Sequence, residues 1–264
     1  MNSFFEDNQK LWDDKVDYHI RSAFYDFDNF LKTKNSLKFI ELNALGDVKD
    51  KSLLHLQCHF GLDSLSWAYR GAKVTGVDFS VKAIQEAQRL SRELEIPATF
   101  VQSNIYDLKS TLSRKFDLVI SSYGTICWLP DLELWAEIIA YFLKNKGIFF
   151  LVDTHPYFYS LDFEKQQIAY PYFNPGEPIT QVIEGTYAAP DAPIKNTAHE
   201  WSHSLSEVFM ALRKQGLEVV DFQEYPFEVY GWFSGAVKDS DDRWYLKGLE
   251  HLIPLLFSIK ARKP

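Results

Sequence analysis

Cysteine is scarce in this chain of 264 residues: Cys58 and Cys127 stand far apart, in no metal-type spacing. That excludes a disulfide framework and points to a reducing compartment. No apolar run is long enough to span a bilayer, and the polar, acidic start Met1–Lys10 has no signal-type apolar region. The expectation is a soluble cytoplasmic protein with no membrane partner. Apart from the short tail Lys260–Lys263, no basic run interrupts a chain of formal net charge −8. A polyanion such as nucleic acid is therefore disfavoured as a partner. There is no internal repeat and no low-complexity tract.

What the chain does have is apolar and aromatic mass, 46% and 16% of residues. At this length that supports one well-buried α/β domain spanning 1–264, with a small cap, rather than two independent domains. The organising stretch is Lys51–Ser80. Ser52–Leu56 reads as a buried strand, Gln57–Gly61 as a loop, and Leu62, Leu65, Ser66 and Tyr69 as one helical face ended by Gly71. Lys73–Asp78 reads as a second strand. Such a βαβ unit places a ligand-sized crevice above the carboxyl ends of its strands, with Asp78 where a carboxylate meets a ribose diol.

The alternation continues. Ser80 caps a helix carrying Ala83, Ala87, Leu90 and Leu94, and strands follow at Ala98–Val101, Phe116–Ser121 and, after Gly147, Ile148–Val152. Asp131 caps the helix bearing Leu132, Trp135, Ile138, Ile139 and Phe142, and Gly147 ends it. The flanks differ. Residues 1–46 read as a helical lid ending at Gly46, 47–153 as the cofactor-binding half and 154–200 as a proline- and aromatic-rich insertion capping the substrate. Residues 201–264 supply a helix opened by the capping box Ser204–Glu207 and two strands, Leu217–Tyr225 and Pro254–Ala261. Aromatic segments outside a βαβ frame commonly roof a ligand pocket.

The order of elements, with Asp78, Asn104-Ile105 and Phe116-Asp117-Leu118-Val119, resembles the class I S-adenosylmethionine-dependent methyltransferases over about residues 50 to 153. The small-molecule type is the nearer likeness, through His-Leu-Gln-Cys-His-Phe-Gly in the cofactor loop. The resemblance implies a Rossmann-like, seven-stranded, mostly parallel sheet with an antiparallel last strand and helices on both faces. It implies S-adenosyl-L-methionine as cofactor and a small-molecule methyl acceptor as partner. It also implies roles residue by residue. Gln57, Cys58, His59 and Gly61 line the methionyl part, Asp78 binds the ribose and Phe79 packs on adenine. Asn104 and Ile105 meet the adenine edge, and Ser121, Ser122 and Tyr123 lie beside the sulfonium. The loop departs from the glycine-rich family pattern: His55 stands at the acidic position, Gln57 and His59 at two glycine positions, and Gly61 alone is kept. Tyr123 and His155 are the candidates for a catalytic base.

Each residue has a plainer reading beside the functional one. Asn104 suits an ordinary turn, Cys58 a packed core, and His155 a loop histidine bonded to backbone. His199-Glu200-Trp201-Ser202-His203 spells the H-E-x-x-H of zinc peptidases, but the capping box starts the helix only at Ser204. An extended segment would turn Glu200 away from both histidines, so no metal is expected. A nicotinamide-dependent oxidoreductase is the competing enzyme. Its pyrophosphate would sit at the start of the first helix, where Asp63 adds a negative charge. A binding protein that holds S-adenosylmethionine without turnover is the third reading. Oligomeric state leaves no pattern in the sequence.

Overall fold

The computed structural model describes residues 3–264; Met1 and Asn2, the first two residues of the expected helical lid, lie outside the described residues. Helices α1 (Ser3–His19), α2 (Phe27–Thr33) and α3 (Phe39–Leu45) precede the sheet. Then come β1 (Ser52–Leu56), α4 (Leu62–Tyr69), β2 (Lys73–Asp78), α5 (Val81–Glu93), β3 (Thr99–Gln102), β4 (Phe116–Ser122) and, after the helix Leu132–Phe142, β5 (Leu143–Thr154). The helix Leu205–Lys214 leads to the last two strands, Glu218–Tyr225 and Leu256–Arg262.

One seven-stranded sheet results, in the order Glu218–Tyr225, Leu256–Arg262, β5, β4, β1, β2, β3. Strands β1 to β5 pair in parallel, and Leu256–Arg262 inserts antiparallel to both its neighbours. Chain order reverses between β1 and β4, so the crevice predicted by doubly wound topology opens above that junction. Alternation along the strands sorts the two faces. Leu53, Val74, Leu118, Ile120 and Phe150 join the core formed with α2, α3, α4 and α5. Leu54, Leu56, Val119, Phe149 and Leu151 join that of the helices Leu132–Phe142 and Leu205–Lys214.

Local chemistry sets the helix starts. The Ser80 hydroxyl accepts the Ala83 amide at 3.0 Å, and Asp131 accepts the Leu134 amide at 2.9 Å. Ser204 and Glu207 close the expected capping box. Two local expectations are corrected. Tyr69 is 62% exposed, and α4 buries Trp67 and Ala68 instead, because the sheet covers one side of it and α2–α3 the other. Gly147 does not end a helix. The helix stops at Phe142, the strand starts at Leu143, and Gly147 sits in a bulge where β4 advances from Phe116 to Leu118 while β5 advances from Leu143 to Ile148. A side chain there would come within 2.8 Å of the Lys144 carbonyl.

The 154–200 segment holds a short helix Pro156–Tyr159 and a hairpin, Ile179–Glu184 with Lys195–Glu200. Phe158, Leu161, Phe233, Leu246 and Leu255 form a small third core beneath it. Helix α1 lies on this hairpin, with Asn8 donating to the His199 carbonyl and accepting the His199 amide.

Candidate cofactor and active site

Above the carboxyl ends of β1, β2 and β4 lies a cavity of about 650 Å³. Its floor is the loop 57–61 with Asp78, its far wall Phe79, Asn104 and Ile105, and its roof Phe5, Trp12 and Lys15 of α1. The volume is that of a pocket for a drug-sized ligand, roughly 300–1,000 Å³.

The loop reproduces glycine-like backbone without glycine. Gln57 has φ 55°, His59 φ 50° and Gly61 φ 82°. Left-handed conformations disfavour side chains that carry a Cβ, and here two residues adopt them where side chains can serve the site. At Gly61 substitution meets a wall as well, since a Cβ would lie 2.8 Å from the Phe100 ring and 3.0 Å from Ala87. The Asp78 carboxylate fixes the loop, accepting the His59 amide at 2.8 Å and the Ser80 amide at 2.9 Å. Burial pushes its pKa up to about 6, with those two amides opposing the shift. Each oxygen keeps a second lone pair.

Two polar atoms of the loop are buried without a partner, Gln57 Oε1 and His59 Nδ1. The Gln57 amide nitrogen donates to the Thr125 carbonyl at 2.9 Å, which orients the oxygen. His59 Nε2 meets His19 Nδ1 at 3.0 Å, and His19 Nε2 meets the Thr186 hydroxyl at 3.0 Å. Burial holds both rings neutral: the His59 pKa falls to about 3 and that of His19 falls further. Buried polar groups are nearly always satisfied, so an orphaned acceptor in a cavity calls for a ligand donor. An ammonium beside Gln57 Oε1 meets that requirement.

Of the other residues singled out in the sequence, Cys58, Phe79, Asn104, Ile105, Ser122 and Tyr123 line the cavity. Asn104 also does the turn-former's work, its side-chain oxygen accepting the Tyr106 amide at 3.0 Å. Ser121 is not among the lining residues. It is fully buried on the opposite strand face and bonds the Thr125 hydroxyl at 3.0 Å, as the two-residue period of β4 requires. Beyond it the loop wraps around Asp153, whose carboxylate accepts the amides of Gly124, Thr125 and Ile126 at 2.7, 2.9 and 3.1 Å. The Tyr123 hydroxyl donates to Glu41 at 2.5 Å. Burial raises the Tyr123 pKa well above its ordinary value and that of Glu41 to about 7, so Tyr123 is a poor base.

His155 is displaced from its expected role. It caps the helix Pro156–Tyr159, accepting the Tyr157 amide at 3.0 Å through Nδ1, and Nε2 faces Glu224 at 2.9 Å. It is not among the residues lining the cavity. The H-E-x-x-H stretch is strand and then loop. His199 contacts Thr180 and Asp7, while His203 bonds the Leu129 carbonyl.

Charged groups of the cavity that sequence reasoning did not place there include Lys15, Glu200 and Glu228. Lys15 is 3% exposed, and its ammonium lies 4.5 Å from the Trp12 ring centre. Glu228 accepts the Thr154 hydroxyl at 2.8 Å, and burial raises its pKa to about 8. Only the odd pattern of a charge amid an aromatic segment hints at any of them.

Residues 53–147 match the family described as "Methyltransferase domain". Among curated relatives, the ubiquinone biosynthesis O-methyltransferase of Photorhabdus laumondii subsp. laumondii is 26% identical over 136 residues, 50% of this chain and 56% of that one. The protein of the same description from Alkalilimnicola ehrlichii is 33% identical over 115 residues, 43% of this chain and 46% of its own. The chain thus spans about half the length of the curated relatives it matches. Solved structures extend the likeness of fold over nearly the whole chain. An S-adenosylmethionine-dependent methyltransferase from Clostridium acetobutylicum superposes at TM-score 0.59 and 13% identity, covering 98% of each chain. One from Mesorhizobium loti does so at 0.55 and 17%, covering 85% of this chain and 97% of that one. The fold is the Rossmann-like class I methyltransferase fold, as its sheet order already indicated.

Proposed function

We propose that this protein transfers a methyl group from S-adenosyl-L-methionine to a small-molecule acceptor. The observation that carries the reading is the pairing, in one cavity, of the Asp78 carboxylate at the tip of β2 with the unpartnered Gln57 Oε1 of the neighbouring loop. A ribose diol suits the first and an amino-acid ammonium the second. The dinucleotide alternative fits less well. Asp63 stands in the first turn of α4 and lines the cavity, where a pyrophosphate would have to sit.

On this reading Asp78 would take the ribose hydroxyls, and Phe79, Asn104 and Ile105 would flank the adenine. Gln57, Cys58, His59 and Gly61 would hold the methionyl group. The bound cofactor supplies an electrophilic methyl on a sulfonium. The chain's own contribution is alignment of two reactants and exclusion of water. Trp12 and Trp128, whose ring centres are 5.3 Å apart, roof the site, and aromatic faces favour a neighbouring cation. Tyr123, held by Glu41, would orient the acceptor. Glu228 is the carboxyl in the cavity suited to accept a proton from it, because its pKa lies near working pH.

Titration calorimetry with S-adenosylhomocysteine and NAD tests the cofactor: affinity for the first and none for the second is expected, and the reverse would overturn the reading. Methyl release over a panel of phenols, amines and thiols then separates a transferase from a protein that only binds the cofactor.

A further inference from the structure

Behind the main cavity lies a second chamber of about 240 Å³. The two share a wall of four residues, Thr154, Tyr159, Glu200 and Trp232. Rings from the insertion, Phe163, Tyr170 and Tyr172, line the chamber together with Trp201. It is large enough for a single substituted ring; an apolar cavity of about 150 Å³ accommodates benzene.

Among the described residues that line it, one buried polar side-chain atom has no partner. His203 is 4% exposed and lines the chamber, and its Nδ1 is buried without a hydrogen bond. The state of that nitrogen follows from its twin. Nε2 lies 2.6 Å from the Leu129 carbonyl, which can only accept, so Nε2 carries the proton. Burial disfavours a second proton on the ring. Nδ1 is therefore a lone pair that lacks a donor, on a ring that lines the chamber.

We propose that this chamber is a binding subsite for a flat aromatic group bearing a hydrogen-bond donor, of the phenol or indole type, with His203 Nδ1 accepting from it. Resting on the methyl-transfer reading, that group is the far end of the acceptor, reached past Tyr159 and Trp232 from the reacting end near Thr154 and Glu228. The acceptor is then an elongated aromatic molecule rather than a compact metabolite. The H-E-x-x-H spelling thus contributes its second histidine to substrate choice.

The probes are 4-methylphenol and toluene, matched in ring and differing in the donor, titrated by ligand-observed NMR into the full chain saturated with S-adenosylhomocysteine. The phenol should bind about tenfold more tightly, the worth of one buried hydrogen bond of about 1.4 kcal/mol. His203→Phe should equalise the two probes, and Gln181→Trp, filling the chamber from its rim, should weaken both. Equal binding of the probes to the unaltered protein, or a preference that survives in His203→Phe, would overturn the subsite. S-adenosylhomocysteine affinity, measured separately on the same samples, should be unchanged in both variants. Its absence from the unaltered protein would count against the methyl-transfer reading, while the probe comparison would still decide the chamber.

Discussion

The Asp78 carboxylate accepts the backbone N–H of His59 at 2.8 Å, tying the tip of β2 to the loop that follows β1. The residue facing the proposed ribose therefore also holds the loop facing the methionyl group. Asp78→Ala should weaken S-adenosylhomocysteine binding by about 1.5–3 kcal/mol, the range for hydrogen bonds to a charged group. It should also loosen the His59 amide, which hydrogen exchange would detect. The ligand needs the ionised form, and the free carboxyl has a pKa near 6. Affinity should hold above that pH and fall below it, by up to tenfold per unit. A flat pH profile between 5 and 7 by calorimetry would take Asp78 out of the contact.

Gly61 is constrained twice, by φ 82° and by Phe100. Gly61→Ala should lose about 2–4 kcal/mol of stability, adding left-handed strain to overpacking. In a Phe100→Val background the same change should be less harmful, because neighbouring substitutions are not additive. Urea unfolding of the four proteins of that cycle measures both quantities. An unchanged penalty would show that backbone strain alone is responsible.

The strands and helices from β1 to β5 were legible because their signals are local: a short apolar run in Ser52–Leu56 and caps at Ser80 and Asp131. Within the cavity, Asp78 and the loop 57–61 were legible for the same reason, since they lie within one βαβ unit. Lys15, Glu200 and Glu228 were not, because they come from α1, the hairpin and the C-terminal loop, and only tertiary packing brings them together. The hairpin Ile179–Glu184 alternates between half-buried and exposed residues, which reads weakly as a strand. Ser121 and His155 illustrate the finer limit. Proximity in sequence to a strand end does not fix which way a side chain turns.

His155→Ala should separate structure from function. The residue caps Pro156–Tyr159 and faces a half-exposed Glu224, so the expected loss is about 1 kcal/mol, mostly the cap. S-adenosylhomocysteine affinity should not change, since the residue is not among those lining the cavity. A loss of affinity without a loss of stability would return His155 to the site.

Lys15 provides a test of the roof. Its ammonium is buried among Trp12, Trp128 and Tyr187, and burial lowers its pKa to about 8, with Glu200 opposing the shift. In the unfolded chain the same group titrates near 10.5. Between these values the unfolded state holds a proton that the folded state has released, so stability rises with pH through about 8 to 10.5. The gain attributable to this one group is up to about 3 kcal/mol. Lys15→Met keeps the length of the stem and removes the titration. The variant should match or exceed the unaltered protein at pH 7 and lose the alkaline gain, as read from urea midpoints at pH 7, 8.5 and 10. Parallel curves for the two proteins would mean that the ammonium reaches water through the cavity mouth, and that α1 does not seal the site.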